Sequence, residues 1–348
     1  MSEQKRYLAT GLLPLHTPRL RLRVMRKAEA QFQADYRSDP AVAEYQFWDL
    51  PYTIERSLAQ LAGPDEPEGL VVGGTTTLAV VLAETGEVIG DLAVSIDRTG
   101  LTAEVGFTLI PRHQGKGYAR EGTEALVDLL FDQPGMVRIS GELDPLNIAS
   151  ARVLEAVGLE HEADTKQSFW WRGHWADNRT YGVTATDYRR WRTRPQAPPG
   201  LVELVPLTNA NYRDFASLAT HYTQLRFTPT VLEMFAEVHF GNSSDGALQL
   251  RGIEAGGEPV GLLVVAEAAG GESPALHRLL IDRRHQGRGI GRRTVEQIAD
   301  RLRREGHSAL TARWTPGRGG PRGFFEKLGF VVAPGRVDPV TQGTLDLR

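Results

Sequence analysis

The sequence predicts a mixed α/β (α+β) protein made of two copies of one domain, each a largely antiparallel sheet flanked by helices. A chain of 348 residues, 41% hydrophobic and 24% charged, suits two globular domains. The hexapeptide RHQGKG at 112–117 returns as RHQGRG at 284–289. The pentapeptides EAVGL at 155–159 and EKLGF at 326–330 follow Gln114 and Gln286 by 41 and 40 residues. Matched landmarks at matched spacing indicate a tandem duplication.

Composition excludes several classes of function. The net charge of −3 gives no global basic field, so we expect no nucleic-acid or membrane partner. No apolar run reaches 18 residues, and the N-terminus lacks a signal-peptide pattern, so the expected location is cytoplasmic. The chain has no cysteine, which excludes disulfides, thiolate zinc sites and a cysteine nucleophile. Since no HExxH, GxSxG or GxxxxGK[ST] motif occurs either, no metal site is predicted.

A proline-rich segment separates the two copies. Residues 191–200, WRTRPQAPPG, hold three prolines and a glycine, which cannot continue a helix or a central strand. We therefore predict a first domain at 1–191, a linker at 192–200 and a second domain at 201–348.

Periodicity predicts the elements of the first domain. Strands follow from short apolar or alternating runs, and helices follow from apolar residues at helical spacing. Thr53 is a candidate helix N-cap, and residues 84–87 (ETGE) indicate a hairpin turn. The predicted order is a strand at 20–24, helices at 27–36 and 53–61, strands at 78–82, 88–96 and 104–110, a helix at 119–131, a strand at 137–143, a helix at 148–156 and a late strand near 181–184.

The second domain repeats this order. The predicted elements are a strand at 202–206, helices near 209–219 and 229–238, hairpin strands at 247–254 and 259–267, a strand at 275–281, a helix at 291–305, a strand at 309–315, a helix at 322–328 and terminal strands.

A glycine loop joins a strand to a helix in each copy. Glycines permit positive φ and close backbone approach, and the N–H groups and dipole at a helix start favour an anion. A plain strand-to-helix turn would explain one copy, but two copies with the same flanks favour a pyrophosphate cradle. A dinucleotide-binding fold fails, because its GxGxxG pattern belongs to parallel βαβ units. The predicted cradle residues are Gln114, Gly115, Lys116, Gly117, Tyr118 and Ala119, and Gln286, Gly287, Arg288, Gly289, Ile290 and Gly291, with Lys116 and Arg288 adding positive charge.

The pattern Gln-x-x-Gly-x-Gly/Ala resembles the acetyl-CoA pyrophosphate signature of the GCN5-related N-acetyltransferase (GNAT) superfamily. Residues 17–23, 147–150 and 173–181 resemble the Rim-type N-terminal acetyltransferase branch, over about 17–191. Residues 277–282 and 320–325 resemble polyamine-acetyltransferase-type members, more loosely over 201–348.

The resemblance implies two tandem GNAT domains, each with a cleft where the fourth strand of the family fold splays from the fifth. Acetyl-CoA would lie in this cleft, one per domain, with its pantetheine arm bonded to backbone at Leu109 and Ile281. Acetyl would pass directly to a primary amine of a small molecule or a peptide. The chain is thus predicted to be an acetyl-CoA-dependent N-acetyltransferase whose acceptor and oligomeric state are not defined by the sequence.

The first domain carries candidate catalytic residues. The reaction needs a neutral amine and a proton for the departing thiolate. Glu142 is the first choice for the base and Glu104 its competitor; the alternative for both is a solvated or ion-paired carboxylate. Asn147 either only caps a helix or also binds pantetheine. Ser150 is the candidate proton donor, with water as the alternative, because Leu154 stands where many members carry tyrosine.

The second domain departs from the family pattern. Glycines occupy 317 and 319–320 in place of the expected Asn, and Phe325 stands at the usual tyrosine position. We therefore predict that this domain binds CoA with little catalysis, or relies on water. Open alternatives are a longer acyl donor carried by CoA or a carrier protein, a CoA-binding sensor, and a C-terminal catalyst with an N-terminal scaffold.

Two groups of side chains near these sites are also assigned. Residues 169–171 (FWW) and Trp175 either line an acceptor pocket or pack the late hairpin. His113 and His285, beside the two loops, are expected on the surface.

Overall fold

A computed structural model describes residues 7–63, 69–240, 247–267, 273–332 and 340–348. The chain divides into two compact units, Met1–Arg192 and Thr193–Arg348. Within the described ranges, no helix combines the length and the apolar character that a membrane crossing requires.

The first unit contains ten strands and six α-helices in its described residues. They are β1 (Tyr7–Leu8), β2 (Leu15–His16), β3 (Leu20–Val24), α1 (Ala30–Arg37), α2 (Pro40–Ala43), α3 (Ile54–Gln60), β4 (Leu70–Val71), β5 (Gly74–Leu82), β6 (Val88–Ile96), β7 (Thr102–Leu109), α4 (Tyr118–Phe131), β8 (Arg138–Leu143), α5 (Ile148–Ala156), β9 (Glu160–Trp171), β10 (His174–Thr184) and α6 (Ala185–Arg192).

The second unit repeats this succession in shorter form. Its described elements are β11 (Val202–Pro206), α7 (Tyr212–Ala216), α8 (Val231–Phe240), β12 (Leu248–Ala255), β13 (Glu258–Ala266), β14 (Ala275–Ile281), α9 (Ile290–Arg304), β15 (Ala309–Trp314), α10 (Arg322–Lys327), β16 (Val331–Val332) and β17 (Thr341–Asp346).

The main sheet of the first unit opens into a fork between β7 and β8. Its strand order is β2-β3-β5-β6-β7-β8-β10-β9. The β7–β8 neighbours are parallel, whereas the other neighbours pair antiparallel. The parallel register runs only from Thr102–Arg138 to Glu104–Ser140. Beyond Glu104 the two strands separate, which confirms the predicted splayed cleft.

The second sheet has the same fork. Its order is β11-β12-β13-β14-β15-β17-β16. The parallel pair is β14–β15, in register at Ala275–Thr311 and Leu276–Ala312. Two mixed, mostly antiparallel sheets with helices confirm the predicted fold class.

Helices cover both faces of each sheet. In the first unit, α4 and α5 pack on one face through a buried cluster that includes Leu126, Leu130 and Leu154. The helices α1 to α3 pack on the other face, where smaller clusters include Met25 and Ala34. In the second unit α9 and α10 share one cluster with the sheet, and α7 and α8 share another.

A buried ion pair fastens α1 to the sheet. Arg37 Nη2 lies 2.8 Å from Asp91 Oδ1 on β6, and the two side chains are 6% and 1% exposed. Tyr36 and Asp91 also share a short hydrogen bond. Trp48 Nε1 donates to the Arg37 carbonyl at 3.0 Å. Because an uncompensated buried charge is costly, this cluster fixes the helical layer over β6.

The predicted elements are mostly confirmed, including Thr53 as the N-cap of α3, whose Oγ1 accepts from Arg56 N at 3.3 Å. The late part of the first unit was underestimated. One strand was expected near 181–184, but β9 and β10 form a hairpin of 12 and 11 residues. Since most β9 side chains are exposed, the strand lacks the apolar alternation that would have indicated it.

Candidate active site

The first glycine loop has the backbone geometry that its composition predicts. Gly115 and Gly117 adopt φ of +73° and +84°, and Gly117 is the N-cap of α4. These angles lie in the left-handed region, where a side chain is strained. Gln114 Nε2 donates to the Leu109 carbonyl at 2.9 Å, which ties the loop back to the end of β7.

The space beside this loop is open. A Cβ on Gly115 would meet no atom within 4 Å, and one on Gly117 would meet only Arg19 Nη2, at 3.4 Å. Lys116, between the two glycines, is exposed. The first N–H groups of a helix have no partner inside the helix. The loop therefore fits a pyrophosphate, which would accept hydrogen bonds from these N–H groups and be favoured by the helix dipole.

Arg19 braces the loop and was missed by sequence reasoning. Its Nη1 donates to the Lys116 carbonyl at 3.0 Å, and its Nε lies 2.6 Å from Glu121 Oε2 in the first turn of α4. The guanidinium also lies 4.6 Å from the centre of the Tyr118 ring. No local signal marks Arg19, because it lies almost a hundred residues before the loop.

The second loop repeats the geometry with a different brace. Gly287 and Gly289 have φ of +78° and +77°, and Gln286 Nε2 donates to the Ile281 carbonyl at 2.9 Å. Arg288, however, is buried: its Nε donates to the Ala197 carbonyl at 2.9 Å. Its side chain thus holds the proline-rich segment, whereas Lys116 at the equivalent position faces solvent. The backbone N–H of Arg288 stays a candidate phosphate donor.

The two loop histidines are buried, so their expected surface position was wrong. His113 and His285 are each 8% exposed. His113 Nε2 lies 3.2 Å from Glu87 Oε1, and His285 Nδ1 lies 2.7 Å from Arg288 Nη1. Burial lowers the pKa of His285. Both imidazoles therefore pack in the protein interior beside their glycine loops.

Alternate residues of β7 direct their backbone N–H and C=O groups into the cleft. Ile110 N donates to the Ile89 carbonyl at 3.0 Å, so position 110 bonds toward β6. Successive residues of a strand direct their backbone groups to opposite sides, and Leu109 and Phe107 therefore direct theirs toward the fork. By the same alternation, Ile281 faces the fork of the second unit, because Asp282 N donates to the Val260 carbonyl at 2.9 Å.

Two candidate carboxylates lie side by side at the first fork. Glu104 is the last β7 residue in register with β8, opposite Ser140. Glu142, two residues beyond Ser140, projects from the same face. Both glutamates are exposed to solvent. Desolvation by surrounding protein, and then the charge of Glu142, raises the pKa of Glu104. A water-accessible carboxyl group that is partly enclosed and beside a like charge is a candidate for proton transfer.

Asn178 orients Glu142 and was also missed. Its Nδ2 donates to Glu142 Oε2 at 2.9 Å. Asn178 follows the register shift in β10 after Ala176. A β-bulge of this kind redirects side chains and is frequent near active sites. Asn178 and Glu142 are 36 residues apart and meet only because β10 pairs with β8. No local sequence pattern could therefore have indicated their contact.

The helix after β8 begins as predicted. Asn147 Oδ1 accepts from Ser150 N at 3.1 Å, so Asn147 caps α5. Ser150 lies in the first turn, and Leu154 is buried in the core at 2% exposure. The capping role leaves the Asn147 amide nitrogen as a group that can bind a ligand. A role of Asn147 or Ser150 in catalysis stays a prediction.

The aromatic cluster divides between packing and exposure. Phe169 meets Phe47 edge-on at 4.8 Å, and Trp171 lies 6.3 Å from the same ring. Trp170 and Trp175 contact each other at 5.8 Å and are 60% and 56% exposed. The first pair docks the β9–β10 hairpin, and the second pair offers an aromatic surface.

The second fork has a different lining. Phe227 occupies the space beside the glycine segment, where a Cβ on Gly317 or Gly320 would lie 3.1 or 3.0 Å from its ring. Phe325 stacks on Trp314 at 4.7 Å. The glycines thus permit aromatic packing, and Phe325 contributes no proton donor. The described part of the chain contains no group of three or more metal-ligating side chains.

Both halves of the chain match acetyltransferase families. Residues 19–160 match a model described as "Acetyltransferase (GNAT) domain", and residues 212–330 match one described as "Acetyltransferase (GNAT) family". An uncharacterized N-acetyltransferase p20 of Bacillus licheniformis is 31% identical over 153 residues, which cover 42% of this chain and 83% of that protein.

A second curated protein and a solved structure are also similar to part of the chain. The FsC-acetyl coenzyme A-N(2)-transacetylase of Aspergillus fumigatus is 30% identical over 156 residues, covering 42% of this chain and 65% of that protein. Among solved structures, Mycobacterium smegmatis RimJ in complex with CoA-disulfide is 19% identical, with a TM-score of 0.43 and coverage of 52% of this chain and 94% of that one.

Proposed function

The chain belongs to the GNAT acetyltransferase family, and from this premise we propose that its first unit transfers acetyl from acetyl-CoA directly to a primary amine of a small molecule or peptide. One observation supports the proposal above the others: an open glycine cradle and an exposed carboxylate of raised pKa lie at opposite ends of β7, along one fork.

The chain's own groups would hold the donor. The N–H groups of the Gly115–Ala119 loop and helix start would bind the pyrophosphate, with Lys116 adding positive charge. The fork-facing N–H groups of Phe107 and Leu109 would bind the pantetheine arm, while the Leu109 carbonyl stays bonded to Gln114. Bound acetyl-CoA supplies the activated acyl group.

We assign the base to Glu104 and a supporting role to Glu142. Glu104 lies where the strands separate, and desolvation and the charge of Glu142 raise its pKa, so it accepts a proton more readily than an ordinary glutamate does. Glu142, held by Asn178, contributes a fixed negative charge beside it. The two charges favour an acceptor that arrives as a protonated amine, and Glu104 removes its proton. Ser150, or water, would return a proton to the thiolate.

The side of the fork that carries Glu104 is polar. Ser95 lies beside Glu104 in the β6–β7 register, and its Oγ is 2.7 Å from Thr75 Oγ1. Hydroxyls and carboxylates thus surround this end of the fork, a lining that suits a cationic amine. The exposed Trp170–Trp175 pair lies further along the sheet, on the β9–β10 hairpin, where it would meet an apolar or aromatic portion of an extended acceptor.

The test separates the two units with matched substitutions. Gly117→Pro and Gly289→Pro each remove a loop N–H and forbid the observed positive φ. Calorimetry should show one CoA site lost in each variant, and thiol release with a panel of primary amines should fall mainly in Gly117→Pro. Loss confined to a folded Gly289→Pro protein would transfer catalysis to the second unit.

A further inference from the structure

An imidazole and a carboxylate meet at the fork of the second unit. His277 follows Leu276, the last residue of β14 in register with β15. Its Nε2 lies 2.9 Å from Oε1 of Glu237 on α8. In the first unit Glu104 is itself the last β7 residue in register with β8, whereas His277 comes one residue beyond the last registered position of β14. Each fork therefore has a proton-accepting side chain at, or directly beside, the point where the parallel strands separate.

A bulge places His277 toward the helices. The β13–β14 register passes from Val264–Arg278 to Val265–Leu276, so His277 is the extra residue. An inserted residue bends the strand and redirects its side chain. Since Glu237 belongs to α8, the imidazole lies on the α7–α8 face of the sheet. Glu104 is likewise directed away from the face covered by α4 and α5.

His277 and Glu237 are arranged as a general base and the carboxylate that orients it. When neutral His277 donates its Nε2 proton to Glu237, Nδ1 becomes the acceptor nitrogen. A carboxylate that fixes the tautomer in this way orients a catalytic histidine. The His277 and Glu237 side chains are 20% and 28% exposed, so a ligand can reach them. Arg278 Nη2 lies 2.7 Å from the same Oε1, so two donors hold this carboxylate in place.

We propose that the second unit is a second acetyltransferase in which His277 is the general base and Glu237 is its positioning residue, acting on a primary amine. The proposal rests on the family function given above. As the new N–C bond forms and the thioester C–S bond breaks, His277 Nδ1 takes the proton from the amine. Water protonates the departing thiolate, and His277 returns its proton to solvent. Phe325 cannot donate that proton, whereas Ser150 is the candidate donor of the first unit, so we expect slower turnover in the second unit.

The activity test uses the full chain with the first unit silenced. In Gly117→Pro, the thiol released from acetyl-CoA is measured with four probes: an alkyl diamine, an aromatic ethylamine, an amino sugar and a tripeptide with a free N-terminus. Adding His277→Gln should lower the residual release about 10²-fold while calorimetry still finds one CoA site. Adding His239→Gln, the same substitution two residues beyond Glu237 on an exposed part of α8, should change little. Glu104→Gln provides a second silenced background if Gly117→Pro does not fold.

The second measurement needs no turnover. Nitrogen-15 NMR of the imidazoles should show the His277 proton on Nε2, and Glu237→Gln should weaken that preference. Three results would each overturn the proposal. The residual thiol release could be unaffected by His277→Gln, a folded silenced protein that still binds one CoA could release no thiol, or the His277 proton could lie on Nδ1. Undiminished release in both silenced backgrounds would instead refute the assignment of the first unit.

Discussion

Replacing Glu104 by Gln tests the base of the first unit, because the amide keeps the shape and cannot accept the proton. An alkyl amine with a pKa of about 10.4 is neutral in roughly one molecule in 10³ at pH 7.4. Without a base, the enzyme must bind this rare form. We therefore expect kcat/KM for the amine to fall by about 10²- to 10⁴-fold at that pH. CoA affinity should change little, because Glu104 lies at the opposite end of β7 from the glycine loop.

The loss of activity in Glu104→Gln should depend on pH in a definite direction. The deficit of Glu104→Gln should shrink by roughly tenfold per pH unit as the amine loses its own proton. The wild-type protein should lose activity as pH falls through the raised pKa of Glu104, since only the ionised carboxylate accepts a proton. Glu142→Gln removes a charge that raises this pKa, so it should move the acidic limb to lower pH and preserve the plateau.

The assay is the initial rate of thiol release at saturating acetyl-CoA from pH 6 to 10, with CoA binding measured by calorimetry. Thermal unfolding provides the control for folding. An acid whose pKa rises on folding destabilises the folded state once it is ionised, so Glu104→Gln should not lower the melting temperature at neutral pH. If Glu142→Gln shows the pH-dependent deficit and Glu104→Gln does not, the two roles are reversed.

Two further predictions concern the buried ion pair of α1 and the tryptophans of the β9–β10 hairpin. Asp91→Ala leaves Arg37 buried without its counter-ion and should lower the free energy of unfolding, measured with denaturant, by about 3–5 kcal/mol. Asp187→Ala, in an exposed pair, should lower it by less than about 1 kcal/mol. Equal losses would contradict the anchoring role of the buried pair. Trp171→Ala should lose about 1–2 kcal/mol of stability because it removes hairpin packing. Trp170→Ala should leave stability unchanged and raise KM for the acceptor several-fold. An unchanged KM would show that Trp170 lies outside the acceptor site.

The features encoded by neighbouring residues could be predicted from the sequence. The glycine loops are an example, because positive φ at Gly115 and Gly117 is a property of the residue type. The helix start at Asn147 is another, since the cap needs only the next three residues. The order of elements in both units likewise followed from local apolar periodicity.

The contacts between distant segments could not be predicted. Arg19 reaches the loop from the opening strand, and Asn178 reaches Glu142 across a bulge. Neither position has a local pattern, because each partner is chosen by sheet register. Arg288 illustrates the same limit: its type suggested a phosphate ligand, but the fold directs its side chain to the Ala197 carbonyl.

The two forks solve the problem of proton acceptance with different electrostatics. In the first unit Glu104 lies beside a second carboxylate, so both desolvation and repulsion oppose its ionisation. In the second unit Glu237 accepts from both His277 and Arg278, so its charge is balanced within the cluster. A residue that carries an uncompensated electrostatic cost is a stronger candidate for function than one in a satisfied cluster. This difference supports the first unit as the faster enzyme, and it makes His277 dependent on Glu237 for its tautomer, which Glu104 does not require.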